Sequence, residues 1–198
     1  LEIVRYSPNE RHLDGFAGET AMIRFYKDPE EWSGWRGEVG VVTNVTQDLY
    51  KRHPATNWEY WDLATGDLPS FPIGSGSELL GGPGKVSFET MKEVLRSSRA
   101  YLYTGTQPAS YTLGFMEALM TGTPMVSITK AWMNFPLIFE ADELCGFAFA
   151  DPADAASLLR LWLNDLEAAT EVSIYQRSVA IDTFGLASVG KAWSQYLG

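Results

Sequence analysis

Apolar and polar positions follow no sustained period over the first 38 residues, which carry Pro8, Pro29 and an aromatic pair at Trp32 and Trp35. From residue 39 the pattern becomes regular. Val39 to Val45 (VGVVTNV) is a β-branched run with the length of a buried strand. A polar turn, Thr46-Gln47-Asp48, follows it, then Lys51 and Arg52 before Pro54 interrupts. Thr56-Asn57-Trp58-Glu59 has the form of a capping box and predicts a helix that ends at Gly66 as a left-handed C-cap. Ser70 to Ile73 predicts a short strand, and Gly74 to Gly84 a glycine-rich loop. Ser87 caps a helix through about Ser98, with Met91, Val94 and Leu95 on one face. Ala100 to Tyr103 is the next strand, and a loop from Thr104 to Ser110 leads to a helix over Tyr111–Thr121 closed by Gly122. Pro124 opens the strand Met125–Ile128. Asp151-Pro152 supplies an N-cap and an N1 proline for a helix carrying Leu158, Leu159, Trp162, Leu163 and Leu166. A second helix near Ala168–Phe184 and a short last one through Trp193–Leu197 complete the chain.

Strands alternating with helices imply an α/β fold, a doubly wound parallel sheet covered on both faces. In such a sheet ligands settle outside the carboxyl ends of the strands. The loops to read are therefore those leaving a strand for a helix: 46–52, 74–87 and 104–112. The organisation expected is one domain over 39–198, preceded by an entry segment at 1–38 or the remnant of an upstream region.

Composition narrows the function. With 198 residues, 45% of them hydrophobic, the chain can bury one full core, and its seven Trp, nine Tyr and ten Phe argue against disorder. The formal net charge of -10 opposes broad nucleic-acid binding while leaving room for a local cationic pocket. The single cysteine, Cys145, excludes an internal disulfide and fits a reducing, cytoplasmic setting. No apolar run reaches the ~20 residues that span a bilayer, and no signal peptide is visible. The opening Leu1-Glu2-Ile3, without an initiator Met, points to a processed product or a fragment.

The chemistry concentrates in Thr104 to Ile128, TGTQPASYTLGFMEALMTGTPMVSI. The pattern is strand, small-residue loop, helix, glycine stop, proline, strand. Free N–H groups at Ser110, Tyr111, Thr112 and Leu113, with the helix dipole, would form an anion seat suited to a diphosphate. Glu117 is the one carboxylate on an otherwise apolar helix. An acid in that setting needs a partner or a solvated rim, and ribose hydroxyls can partner it.

GFMEALMTGTPMV resembles the signature of the retaining GT-B glycosyltransferases of group 1, family 4, whose usual form is E-G-F-G-x-x-x-x-E-A-x-A-x-G-x-P-V-V. The resemblance covers roughly residues 39–198 and implies the C-terminal, donor-binding, Rossmann-like half of such an enzyme. Gly146–Phe149, the helix from Asp151 to Asp165, Phe184-Gly185 and Trp193–Tyr196 match the later sections of that half. By position, the resemblance places Glu117 on the ribose and the N–H groups of Thr112 and Leu113 on the distal phosphate. It places Lys51, with Arg52 beside it, on the diphosphate, and the main chain of Val86 against the base. The substrate implied is a nucleoside diphosphate sugar with no further cofactor and no metal. The partner implied is an N-terminal acceptor domain, in the same parent protein or on another chain.

The chain departs from that pattern in three ways. Ala109 stands where the first acid of the E-x7-E motif belongs, so no catalytic residue is assigned. Thr46 or Gln47 occupies the place of the arginine that usually precedes the lysine by a turn. The acceptor half is absent apart from what residues 1–38 retain. These departures favour, as the alternative, a non-catalytic nucleotide-sugar-binding or assembly module; a GT-B-type nucleotide-sugar epimerase ranks below it. Other signals are weak. The glycines at 74, 76, 81 and 82 do not have dinucleotide-fingerprint spacing. His12 and His53 have no partner at ligand spacing. Asn44-Val45-Thr46 matches a glycosylation acceptor but ends a predicted buried strand. Ser110 and Ser127 lack a nucleophile elbow.

Overall fold

The computed structural model describes residues 2–133 and 137–198. Two short strands, β1 (Val4–Arg5) and β2 (Ala21–Met22), pair in parallel apart from the main sheet. That sheet holds β3 (Val39–Val45), β4 (Ser70–Ile73), β5 (Ser98–Tyr103), β6 (Met125–Ile128) and β7 (Ala148–Phe149), all parallel, in the order β4-β3-β5-β6-β7. The helices are α1 (Trp58–Thr65), α2 (Phe88–Ser97), α3 (Leu113–Thr121), α4 (Lys130–Met133), α5 (Ala141–Cys145), α6 (Pro152–Asn164), α7 (Leu166–Phe184) and α8 (Leu186–Leu197). Helices α1 and α6 lie against each other, with α6 on the sheet; α2, α3 and α7 group together around β3 and β5, and α8 folds back on α7. The arrangement is the doubly wound α/β sheet that the alternation implied.

Local chemistry explains most boundaries. The Ser87 side chain accepts from the Thr90 N–H and starts α2; the Asp151 side chain accepts from the Ala153 N–H ahead of Pro152 and starts α6. Helix α3 ends at Gly122 with φ 90°, whose N–H reaches the carbonyls of Ala118 and Leu119 while the Thr123 N–H bonds Ala118.

Three expectations are corrected. The Thr56–Glu59 capping box does not form: the N-cap is Asn57, in the left-handed region and without a side-chain cap. The Thr56 hydroxyl donates instead to the Leu49 carbonyl at 2.5 Å, and the Asn57 amide to the Thr104 carbonyl at 2.5 Å. Both side chains tie loops together at the carboxyl end of the sheet, a use that wins over capping because those carbonyls are otherwise buried. Gly66 closes the helix, but with φ 41° and ψ -107° rather than in the left-handed helical well. The third helix begins at Leu113, two residues later than the pattern predicts, because the buried Tyr111 anchors in the core.

Residues 1–38 pack along the domain. Trp32 is 1% exposed within the main core. The Trp35 indole donates to Ser98, Arg96 to the Ser33 carbonyl, Arg177 to the Pro29 carbonyl, and the Lys27 N–H to Phe184. Asn44 is fully buried and donates to the Leu102 carbonyl, which removes it as a glycosylation acceptor. Among the described residues no helix is long and apolar enough to cross a membrane.

Cys145 sits wholly buried, its thiol against the Met125 and Phe147 carbonyls, and burial pushes its pKa up to about 12. A thiol needs its thiolate to react. We therefore expect native protein at pH 8 to resist a maleimide that labels Cys145 within minutes once urea unfolds the chain; rapid native labelling would contradict this packing.

Candidate functional site

The strand order sets the position of the site. The chain runs from β3 outward to β4 and then crosses back to β5 on the other side of β3. Loops leaving β3 and β5 therefore part in opposite directions and open a crevice between them, the switch point where doubly wound folds bind ligands. A cavity of about 510 Å³ lies there, within the range of small-molecule sites. It is lined by Val45, Thr46 and Gln47 after β3, by Arg52, by Phe88 and Met91 of α2, by Thr106 after β5, and by Thr112, Leu113, Gly114 and Glu117 of α3.

The floor is built by close backbone approach. A Cβ at Gly114 would stand 3.1 Å from the Val45 carbonyl oxygen, so the first turn of α3 sits directly on the end of β3. The Val45 N–H donates to the buried Tyr101 hydroxyl at 3.0 Å, and burial raises the Tyr101 pKa and keeps that hydroxyl protonated. Across the crevice, Gly74 has φ +127°, and a Cβ there would meet the Thr46 carbonyl oxygen at 2.4 Å. Only glycine allows that contact. It draws the 74–86 loop against β3, where the Ser75 N–H bonds the Gln47 amide oxygen and the Asp48 N–H bonds Ser75. A smaller recess of about 80 Å³, lined by Val45, Gln47, Ile73, Gly74, Lys85, Val86 and Met91, shares Val45, Gln47 and Met91 with the main cavity.

Thr112 caps α3, its hydroxyl accepting from the Phe115 N–H at 3.3 Å. The N–H groups of Leu113 and Gly114 have no carbonyl one turn back within the helix, and both residues line the cavity. Leu113 is 53% exposed, so this helix start is open. Ser110 and Tyr111 do not take the places expected of them. The Ser110 N–H is not free, since it donates to the Tyr6 hydroxyl at 3.3 Å while the Ser110 carbonyl accepts from Glu140. Tyr111 turns into the core: its hydroxyl donates to the Tyr6 carbonyl at 2.9 Å, and the Arg24 guanidinium lies 5.7 Å from its ring. Neither lines the cavity. These two residues anchor the loop, and the start of α3 reaches the cavity through Thr112, Leu113 and Gly114.

The two basic neighbours also separate. Arg52 lines the cavity, held by its N–H to the Asp48 carbonyl. Lys51 is exposed, with its ammonium 3.9 Å from Asp48, and does not line it. Val86 falls in the adjoining recess. Ala109 is half-buried, its N–H on the Thr106 carbonyl, and Thr106 rather than Ala109 reaches the cavity.

Glu117 is 6% exposed and faces the cavity with a partner that the sequence did not point to: Lys27, whose ammonium donates to Glu117 Oε1. The demand for a partner was legible in a lone acid on an apolar helix; that Lys27, 90 residues away, would supply it was not. Among the described residues no group of three or more His, Cys, Asp or Glu is placed to hold a metal ion.

No family model and no curated protein matches the sequence. Solved structures do match in fold. HepE of Anabaena, in complex with UDP and glucose, superposes with a TM-score of 0.74 at 14% identity over 99% of this chain and 62% of its own. TarM gives 0.67 at 17% over 100% and 43%. AviGT4, a glycosyltransferase involved in avilamycin A biosynthesis, gives 0.65 at 16% over 98% and 62%. At such identities the likeness shows the fold, the Rossmann-like fold of GT-B glycosyltransferases. The chain spans between about two fifths and three fifths of these neighbours' lengths.

Gly114→Ala should test the floor of the site. Adding the methyl favours the helix by up to ~1 kcal/mol but overpacks it onto Val45, at about 1–3 kcal/mol. The expected outcome is a net loss of stability in urea denaturation, with α3 displaced from the strand end; a stabilised variant would show that the contact yields freely.

Proposed function

We propose that the chain is the donor-binding half of a retaining, metal-independent glycosyltransferase that takes a nucleoside diphosphate sugar. In this reading residues 39–198 form the nucleotide-sugar-binding unit, 1–38 lead from an upstream acceptor-binding half, and the setting is cytoplasmic. One observation carries it. The switch-point cavity brings the open start of α3, Arg52 and the buried carboxylate of Glu117 into one space.

Each group has a task in that reaction. Transfer breaks the bond between the anomeric carbon and the diphosphate, so charge grows on the leaving phosphate oxygen. The N–H groups of Leu113 and Gly114, the positive end of the α3 dipole and the Arg52 guanidinium are fixed where that charge develops, and preorganised donors of this kind lower the barrier. Glu117 accepts hydrogen bonds from the ribose hydroxyls. The recess at Val86 takes the base, with the Val86 main chain offering its polar groups to the ring edge. The acceptor and the other wall of the cleft come from the upstream half. The similarity in fold to HepE, which holds UDP and glucose, and to the glycosyltransferase AviGT4 supports the substrate class.

Ala109 favours a second reading, a module that binds a nucleotide sugar without transferring it. A methyl group stands where the resemblance places an acid at the reacting sugar, and it cannot accept a hydrogen bond or carry charge. Supplying the upstream half separates the two. Turnover of a sugar donor supports the first reading, and tight donor binding without turnover supports the second.

Binding itself is tested by thermal unfolding with UDP, GDP, ADP and their sugars. A ligand at 100 times its dissociation constant adds about 2.7 kcal/mol of stability. We expect one nucleotide series to raise Tm by several degrees and Glu117→Ala to abolish most of that rise. Unchanged donor affinity in a folded Glu117→Ala variant would remove the ribose role from Glu117.

A further inference from the structure

The segment 27–32 backs two walls of the cavity at once. The Lys27 ammonium donates to Glu117 Oε1 and lies 5.1 Å from the Trp32 ring centroid. Trp32 is 1% exposed and meets the Phe88 ring edge-on at 5.3 Å, and Phe88 lines the cavity beside Glu117. The Lys27 main chain is fixed as well, its N–H bonded to the Phe184 carbonyl at 3.0 Å. Lys27 is not itself a lining residue, and its side chain is 16% exposed. The ammonium therefore contacts the carboxylate without itself lining the cavity.

We propose that Lys27 is the positioning residue for recognition of a vicinal ribose diol, holding Glu117 so that its remaining acceptor capacity faces the cavity. The proposal rests on the nucleotide-sugar reading and deepens it. An ionised carboxylate offers two oxygens with about four lone-pair sites. Lys27 occupies one of these at Oε1, and the 2′- and 3′-hydroxyls of a nucleoside are donors spaced to use the others. Charge matters here, since hydrogen bonds to an ionised carboxylate are stronger than those to a neutral one. Geometry matters equally. The Glu117 side chain has three rotatable bonds, and a partner anchored by Trp32 and the Phe184 carbonyl selects one arrangement before ligand arrives, which lowers the ordering cost of binding.

A purely structural ion pair would affect stability and binding of every nucleotide alike. A positioning role changes the ratio between ligands with and without the diol. The experiment is therefore calorimetric titration of the full chain with the nucleoside diphosphate that it prefers and with the 2′,3′-dideoxy form of that nucleotide. The wild type is expected to prefer the ribonucleotide by about tenfold or more, as hydrogen bonds to a charged group imply. Lys27→Met should reduce that preference to about twofold, and Lys27→Arg, which keeps the charge and a donor, should retain most of it. If Lys27→Met fails to fold by circular dichroism, Lys27→Gln, a polar donor without charge, is titrated in its place with the same expectation. A folded Lys27→Met or Lys27→Gln variant that keeps the wild-type preference overturns the proposal. Glu117→Gln separates the two levels. If it loses the preference while Lys27→Met keeps it, Glu117 reads the ribose unaided and only the Lys27 role falls. A wild type that binds no nucleoside diphosphate, or binds both forms equally, overturns the ribose reading and the Lys27 role together.

Discussion

A carboxylate in an apolar helix is the constraint around which the rest of the domain is arranged. Helix α3 is buried along nearly its whole length, and Glu117 shares that burial at 6% exposure. Withdrawing one such charge from water costs several kcal/mol, and leaving it without its partner costs about 3–5 kcal/mol. The chain meets that cost with Lys27, and Lys27 belongs to the segment that precedes β3, the first strand of the main sheet. The N-terminal stretch is thereby pinned across the helices at the point where the site needs a wall. Stability by itself does not explain the pair, because well-packed apolar residues in the same volume are often equally stable or more so. A charge kept at such expense and turned toward a cavity is better explained by a ligand that requires it.

The cavity owes its depth to two close backbone approaches. Gly114 lets the start of α3 settle on the Val45 carbonyl, and Gly74 lets the next crossover loop settle on the Thr46 carbonyl. A side chain at either place would force α3 or the loop outward, and the amides of Leu113 and Gly114 would no longer share a space with Arg52. The strand order does the remaining work, since the crossing from β4 back to β5 is what parts the loops above β3. Function here depends on where small residues permit contact as much as on where polar residues supply chemistry.

The elements were legible because their signals are local. The β-branched run at Val39–Val45, the caps at Ser87 and Asp151 and the glycine stop at Gly122 each act within one turn or one strand, and each appears in the structure at the expected residues. What could not be read from the sequence was long-range. Thr56 and Asn57 have the composition of a cap, yet distant carbonyls at Leu49 and Thr104 claim their side chains. Ser110 and Tyr111 read as the start of a helix, yet Tyr6, more than a hundred residues earlier, holds both. Lys51 and Arg52 are neighbours of equal charge, and only the turn after β3 decides that Arg52 enters the cavity while Lys51 meets Asp48. Partner choice across such separations is set by tertiary packing, which leaves no periodic trace.

The same separation of scales resolves an apparent conflict between the chain's charge and its proposed substrate. A net charge of -10 should repel a diphosphate. At physiological ionic strength, however, exposed charges are screened over about 8 Å, so most surface acids act weakly at the bottom of a crevice. In the proposed reading the groups that meet the anion act at hydrogen-bond distance, beside the apolar side chains of Val45 and Met91. Low local polarity strengthens short contacts far more than distant ones. Two amides at a helix start and one guanidinium can therefore outweigh a surplus of carboxylates elsewhere. Pairing Glu117 with Lys27 offsets the one acid among the residues that line the cavity. On this view the ion pair serves both halves of the ligand: it presents an acceptor to the sugar hydroxyls and cancels a charge that would weaken the hold on phosphate.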